Sequence, residues 1–143
     1  MTILIVGATG ATGKLLVEEL LDRGHHVKAI VRSPGKLDHL NDRSDLYLIN
    51  GSILDLSNEE MAEYVEECDA VASCLGHNLT LRGIYGHPRR LVTNACRRIC
   101  EAIMVNQPKK PVKFILMNTA GNRNRDLDEP ITLGERLVIG LLR

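Results

Sequence analysis

The chain has 143 residues, 44% of them apolar, and its basic and acidic side chains cancel to a formal charge of zero. That length accommodates one domain with a real core, and the neutral balance supplies no field for nucleic acid or an anionic membrane surface. No apolar run reaches the roughly 18 residues that cross a bilayer, and the first is too short for a signal peptide, so a cytoplasmic location is expected.

Ile3-Leu4-Ile5-Val6 opens the chain as four consecutive apolar residues, three of them β-branched, which fits a strand buried on both faces. Gly7-Ala8-Thr9-Gly10-Ala11-Thr12-Gly13 stops that strand. Beyond it Leu16, Val17, Leu20 and Leu21 recur at helical spacing with Lys14, Glu18, Glu19, Asp22 and Arg23 on the other side, and the helix ends near Gly24. A glycine turn leading into a helix presents unpaired N–H groups and the positive end of the macrodipole to a phosphate. By analogy with known fingerprints, Gly7 makes the tight turn, Gly10 admits a pyrophosphate to the backbone, and Gly13 lets the helix lie against the strand. Ala11 adds a backbone donor of the first helical turn, and Thr9 and Thr12 add hydroxyls. The spacing is G-x-x-G-x-x-G, distinct from the usual dinucleotide fingerprint. A Walker phosphate loop is excluded, because Leu15 stands where Ser or Thr must follow the lysine and Ala8 where a second glycine is needed. A turn that binds nothing is the plainer reading, and the strand before and helix after argue against it.

GATGATG directly after an N-terminal strand resembles the atypical and extended short-chain dehydrogenase/reductases, above all the NmrA-like NAD(P)-binding group that includes the NADPH-dependent flavin and biliverdin-IXβ reductases. The resemblance extends along nearly the whole chain.

Val27 to Val31 reads as a second strand ending at Arg32-Ser33-Pro34-Gly35-Lys36. An acid about 20 positions after the glycine turn bonds the ribose 2′-hydroxyl of NAD; here the position holds Arg32, whose guanidinium suits a 2′-phosphate, so NADP is expected over NAD. The resemblance implies that Lys36, four residues on, joins it. Asp45 to Asn50 reads as the third strand, followed by Gly51-Ser52-Ile53. The family commonly has Gly-Asp-hydrophobic here with the acid on the adenine amine; serine takes that place, which leaves Ser52 and Ile53 as a weaker adenine contact. Ser57 to Val65 reads as a helix capped by Ser57 or Asn58, with Glu59 and Glu60 in its first turn.

Asp69 to Ser73 supplies a fourth strand, and Cys74-Leu75-Gly76-His77 runs past its end. Ligands of parallel sheets lie outside the carboxyl ends of strands at the switch point, which sets Cys74, Leu75 and Gly76 beside the pyrophosphate and nicotinamide ribose. The resemblance matches Leu75-Gly76 to the family's segment at this place. Because an imidazole in general titrates near neutrality, His77 is a candidate acid–base group, although a lone loop histidine reads first as a surface or hydrogen-bonding residue. Tyr85 and His87 follow in a Gly-rich loop that is a candidate for touching substrate. Pro88 to Val105 reads as the longest helix, with Leu91, Val92, Ala95, Cys96, Ile99 and Ile103 as its apolar stripe and Arg89, Arg90, Arg97 and Arg98 as a solvated face. Lys113 to Met117 then gives a fifth strand. The alternation implies a doubly wound α/β Rossmann fold of about five parallel strands in order 3-2-1-4-5.

Cys68, Cys74, Cys96 and Cys100 form no C-x-x-C pair, so no metal site is expected. Cys96 and Cys100, four apart on a helix, read as small core residues in a reducing compartment.

In the short-chain reductases a Ser or Thr ending the fifth strand orients the substrate carbonyl and a Tyr-x-x-x-Lys pair handles the proton. Thr119 matches the first; residues 122–143 contain no tyrosine, lysine or histidine for the second. Relatives normally continue into strands that shape the substrate pocket, whereas this chain ends in apolar Leu137-Val138-Ile139-Gly140-Leu141-Leu142. A single cofactor-binding domain, shortened or cut before that lobe, is expected, with self-association or a partner covering the apolar end. Three functions follow: an NADP-dependent oxidoreductase acting on a small flavin, quinone or carbonyl compound; an NADP-sensing regulatory domain; and a scaffold that has lost cofactor binding.

Overall fold

The computed structural model describes residues 1–76 and 90–117. His77, Tyr85, His87, Thr119 and the apolar segment 137–143 lie outside them.

Among the described residues five parallel strands form one sheet: β1 (Thr2–Val6), β2 (His26–Val31), β3 (Leu46–Asn50), β4 (Ala70–Ser73) and β5 (Lys113–Leu116). Their order is β3-β2-β1-β4-β5, as the alternation of strand and helix predicts. Three α-helices of the described residues accompany them: α1 (Ala11–Asp22), α2 (Asn58–Val65) and α3 (Leu91–Asn106).

The side chains of β1 alternate between two cores, as a strand covered on both faces requires. Ile3 and Ile5 pack with Val17 and Leu21 of α1, Ala29 and Val31 of β2, and Leu37. Leu4 and Val6 face the opposite way, onto Met61 and Val65 of α2 and Ala95, Ile99 and Ala102 of α3. The apolar stripe of α1 is therefore the expected one, while in α3 Ala102 joins the buried set and Leu91, Val92, Cys96 and Ile103 remain half-buried.

Local signals account for most element ends. Ser57 is the cap of α2: its Oγ accepts from the Glu60 N–H at 3.1 Å, and its own N–H donates to Glu60 Oε2 at 2.7 Å, a complete capping box. The third strand begins at Leu46 and not at Asp45, whose carboxylate instead accepts from Arg43 Nε at 3.1 Å.

Two features depart from the sequence reading. Pro34–Leu40, which reads as loop, forms a 3₁₀ segment kinked at Leu37, whose side chain is buried in the α1-side core. Proline at its start supplies the fixed φ that a first helical turn needs. Arg98 does not belong to a solvated face; it is half-buried and donates to the carbonyls of Leu54 and Leu56 across 44 and 42 residues of sequence.

Candidate functional site

Because the strands are parallel and in register, their carboxyl ends share one edge of the sheet. Val6 pairs with Ile30 and with Ser73, and Val31 pairs with Asn50. The residues that follow are Gly7 after β1, Arg32 after β2, Gly51-Ser52 after β3 and Cys74-Leu75 after β4. Four distant stretches of sequence thus meet along one line, with the change in winding direction falling between β1 and β4. From β3 to β4 the line covers three inter-strand spacings, about 14 Å.

The glycine turn is closed by the Gly10 N–H donating to the Gly7 carbonyl at 3.1 Å. Wholly buried Ala8 anchors it in the core. Gly7 has φ +81°, and a β-carbon there would lie 2.7 Å from the backbone of Cys74, so both conformation and space call for glycine. A β-carbon on Gly13 would lie 2.1 Å from the Gly7 carbonyl oxygen; its absence lets α1 approach β1. Gly10 differs from both. Its β-carbon would meet nothing nearer than that same oxygen at 3.4 Å, which leaves the space beside the turn open to a ligand.

The first intrahelical bond of α1 is from the Lys14 N–H to the Gly10 carbonyl at 2.9 Å. The N–H groups of Ala11, Thr12 and Gly13 precede it and have no intrahelical acceptor. No side chain caps them and no acid stands in the first turn. Helix α2, by contrast, carries its own cap and two acids. A helix start with open donors, no competing carboxylate and no β-carbon at Gly10 fits the pyrophosphate of a dinucleotide.

Arg32 and Lys36 are both exposed, one immediately after β2 and the other in the first turn of the 3₁₀ helix. Among the described residues neither enters an ion pair. The nearby acid–base pair, His39 with Glu18 at 2.8 Å, ties the far end of that helix to α1.

Ser52 and Ile53 lie in a tight turn after β3. The Ser52 carbonyl accepts from the N–H groups of Asp55 at 2.8 Å and Leu56 at 3.2 Å, and its Oγ from the Leu54 N–H at 3.4 Å. The Ile53 side chain is buried in the α2/α3 core, so Ile53 can offer a ligand only its backbone. Among the described residues the N–H groups of Ser52 and Ile53 have no partner. At the other side of β1, half-buried Cys74 and Leu75 abut Gly7, and burial pushes the Cys74 thiol above its ordinary pKa. Gly76 ends this described stretch. Among the described residues no three metal-ligating side chains cluster, and no helix is long and apolar enough to cross a membrane.

A doubly wound parallel sheet with an open glycine turn at its switch point defines a Rossmann-type dinucleotide-binding domain. A family model described as NAD(P)H-binding matches residues 7–136, and the chain belongs to that family, in agreement with the resemblance to atypical short-chain reductases. Its cofactor is a nicotinamide dinucleotide.

Dihydroflavonol 4-reductase of Arabidopsis thaliana is 36% identical to this chain over 75 residues, which is 52% of the chain and 19% of that protein. The dTDP-6-deoxy-L-talose 4-dehydrogenase (NAD(+)) of Aggregatibacter actinomycetemcomitans is 39% identical over 77 residues, 54% of this chain and 26% of that one. The crystal structure of the oxidoreductase ylbE from Lactococcus lactis shares the fold, with a TM-score of 0.70 at 22% identity, covering 99% of this chain and 58% of that one. The matches thus span 19% and 26% of the length of the two curated relatives.

Proposed function

We propose that this chain is an NADP-dependent oxidoreductase of the atypical short-chain dehydrogenase/reductase type, acting on a small flavin, quinone or carbonyl compound. The uncapped start of α1 carries the reading: three backbone donors stand beside Gly10, and among the described residues no side chain caps them and no acid lies in the first turn. The N–H groups of Ala11, Thr12 and Gly13 hold the pyrophosphate, with the Thr9 and Thr12 hydroxyls as further donors. Arg32 and Lys36 take the 2′-phosphate; a guanidinium there favours NADP through charge-assisted bonds that NAD lacks. The Ser52 hydroxyl and the Ile53 N–H face the adenine, and Cys74, Leu75 and Gly76 border the nicotinamide ribose.

The bound cofactor supplies the hydride. The chain's own contribution is to hold and orient the reactants, which by itself lowers a barrier substantially. Thr119 orients the substrate carbonyl, and the proton comes from solvent or from His77. The second reading is an NADP-sensing domain without turnover.

Calorimetric titration with NADPH and with NADH, followed by NADPH oxidation with a panel of flavins, quinones and carbonyl compounds, tests both. Binding with turnover supports the oxidoreductase. Binding without turnover selects the sensor, and no binding of either dinucleotide leaves a scaffold that has lost its ligand.

A further inference from the structure

Arg98 stands out among the polar residues of the described chain because it solves a problem that lies far from it in sequence. It projects from the middle of α3 into the α2/α3 side of the sheet. There its Nη1 donates to the Leu54 carbonyl at 2.9 Å and its Nη2 to the Leu56 carbonyl, with Asn58 Oδ1 at 3.5 Å. Its Nε is buried with no partner among the described residues, and no carboxylate pairs with it there. A guanidinium is held in such a place only if its remaining bonds are well made, and both of its short ones go to a single turn.

That turn is the one that presents Ser52 and Ile53. Three of its N–H groups are used internally: those of Asp55 and Leu56 go to the Ser52 carbonyl, and that of Leu54 goes to the Ser52 hydroxyl. Its outward carbonyls, those of Leu54 and Leu56, have Arg98 as their donor. Internal bonds fix the shape of the turn; Arg98 fixes its attitude relative to the sheet.

We propose that Arg98 is a positioning residue for adenine recognition, clamping the turn from below so that the Ser52 hydroxyl and the Ile53 N–H stay aimed at the base. The proposal rests on the cofactor reading above. Arginine suits the task because its planar fork reaches two carbonyls at once, whereas a lysine ammonium at the same place satisfies one well. With serine replacing the stronger carboxylate acceptor, a rigid turn compensates for a weak contact, since a preorganised donor pair loses less on binding.

The test is calorimetric binding of NADPH, ADP-ribose and reduced nicotinamide mononucleotide to the full 143-residue chain and to its Arg98→Met and Arg98→Lys variants. The two fragments separate the halves of the cofactor, and ADP-ribose is independent of the 2′-phosphate. Arg98→Met is expected to weaken ADP-ribose about tenfold and Arg98→Lys about threefold, with the mononucleotide unchanged in both. A purely structural arginine lowers thermal stability and leaves the two fragments equally affected. Equal loss in both halves, or no loss in a folded variant, overturns the proposal while leaving the cofactor reading intact. Wild-type chain that binds neither NADPH nor ADP-ribose overturns both. Should Arg98→Met not fold, Arg98→Lys carries the comparison. In the wild type, amide exchange at Leu54 to Leu56 is expected to slow with ADP-ribose and not with the mononucleotide; no change with ADP-ribose also counts against the clamp.

Discussion

Gly13 lies against Gly7 so closely that a β-carbon on Gly13 would sit 2.1 Å from the Gly7 carbonyl oxygen. The obstacle is backbone, held in place by the Gly10 N–H bond to that same oxygen and by buried Ala8. Gly13→Ala must therefore separate α1 from β1. We expect a loss of about 3 kcal/mol in urea unfolding. Gly10→Ala, with 3.4 Å of room and an ordinary φ of −77°, is expected to unfold like the wild type and yet lose NADPH binding. Retained binding in folded Gly10→Ala would remove the pyrophosphate from this turn.

In the proposed function Arg32 selects between the two dinucleotides. An Arg32→Asp variant replaces a partner for the 2′-phosphate with a repelling charge and offers a carboxylate to the ribose hydroxyl. NADPH affinity should fall about 30- to 100-fold, while NADH affinity holds or rises. Calorimetry with both cofactors reads this, and parallel losses for the two would assign Arg32 no part in selectivity.

Arg43 joins Asp22 at the end of α1 to Asp45 ahead of β3, at 3.0 and 3.1 Å. Its hydrogen bonds hold the Asp45 carboxyl below the ordinary carboxylate range. A lowered folded-state pKa stabilises the fold in full above about pH 4, and that contribution disappears as pH falls through the folded value. Arg43→Met should therefore flatten the acid limb of the stability profile below pH 4 relative to wild type. Urea unfolding between pH 2.5 and 7 checks this, and identical acid limbs would mean that the pair contributes nothing.

The four thiols should alkylate in an order set by burial. Cys68 is buried, donates to the Tyr64 carbonyl at 3.3 Å, and has its pKa pushed up by burial; Cys74 and Cys96 are half-buried and also pushed up, and Cys100 is exposed. Iodoacetamide at neutral pH should label Cys100 first and Cys68 last, by at least about tenfold, because only the thiolate reacts. NADPH should protect Cys74 alone. Peptide mass spectrometry over time reads the order, and equal rates at Cys68 and Cys100 would contradict the burial.

Features whose causes lie within a few residues were legible from the chain alone. The glycine spacing implied a turn with three different jobs; the structure gives a physical reason for glycine at Gly7 and at Gly13, and at Gly10 it leaves room for a β-carbon. Ser57 and Glu60 announced the start of α2, and the alternation of apolar runs with amphipathic stretches implied the sheet order. The 3₁₀ segment was not legible, because Pro34-Gly35-Lys36 has the composition of a loop and its two apolar anchors, Leu37 and Leu40, are too few for a period.

The polar contacts that join elements were equally hidden. Lys28 donates to the Tyr64 and Glu66 carbonyls at the end of α2 across 36 and 38 residues, and Arg98 reaches Leu54 across 44. On its own helix Arg98 lies three residues after buried Ala95 and four before buried Ala102, whereas exposed Arg97 lies off that side, but helical spacing names no acceptor for it. Sequence by itself determined the strand, the turn and the helix start that open a dinucleotide site, since backbone sterics and hydrophobic periodicity act over neighbouring residues. Only the tertiary structure decided that Arg98 holds the turn of Ser52 and Ile53, because its acceptors, the Leu54 and Leu56 carbonyls, lie 44 and 42 residues away in the chain.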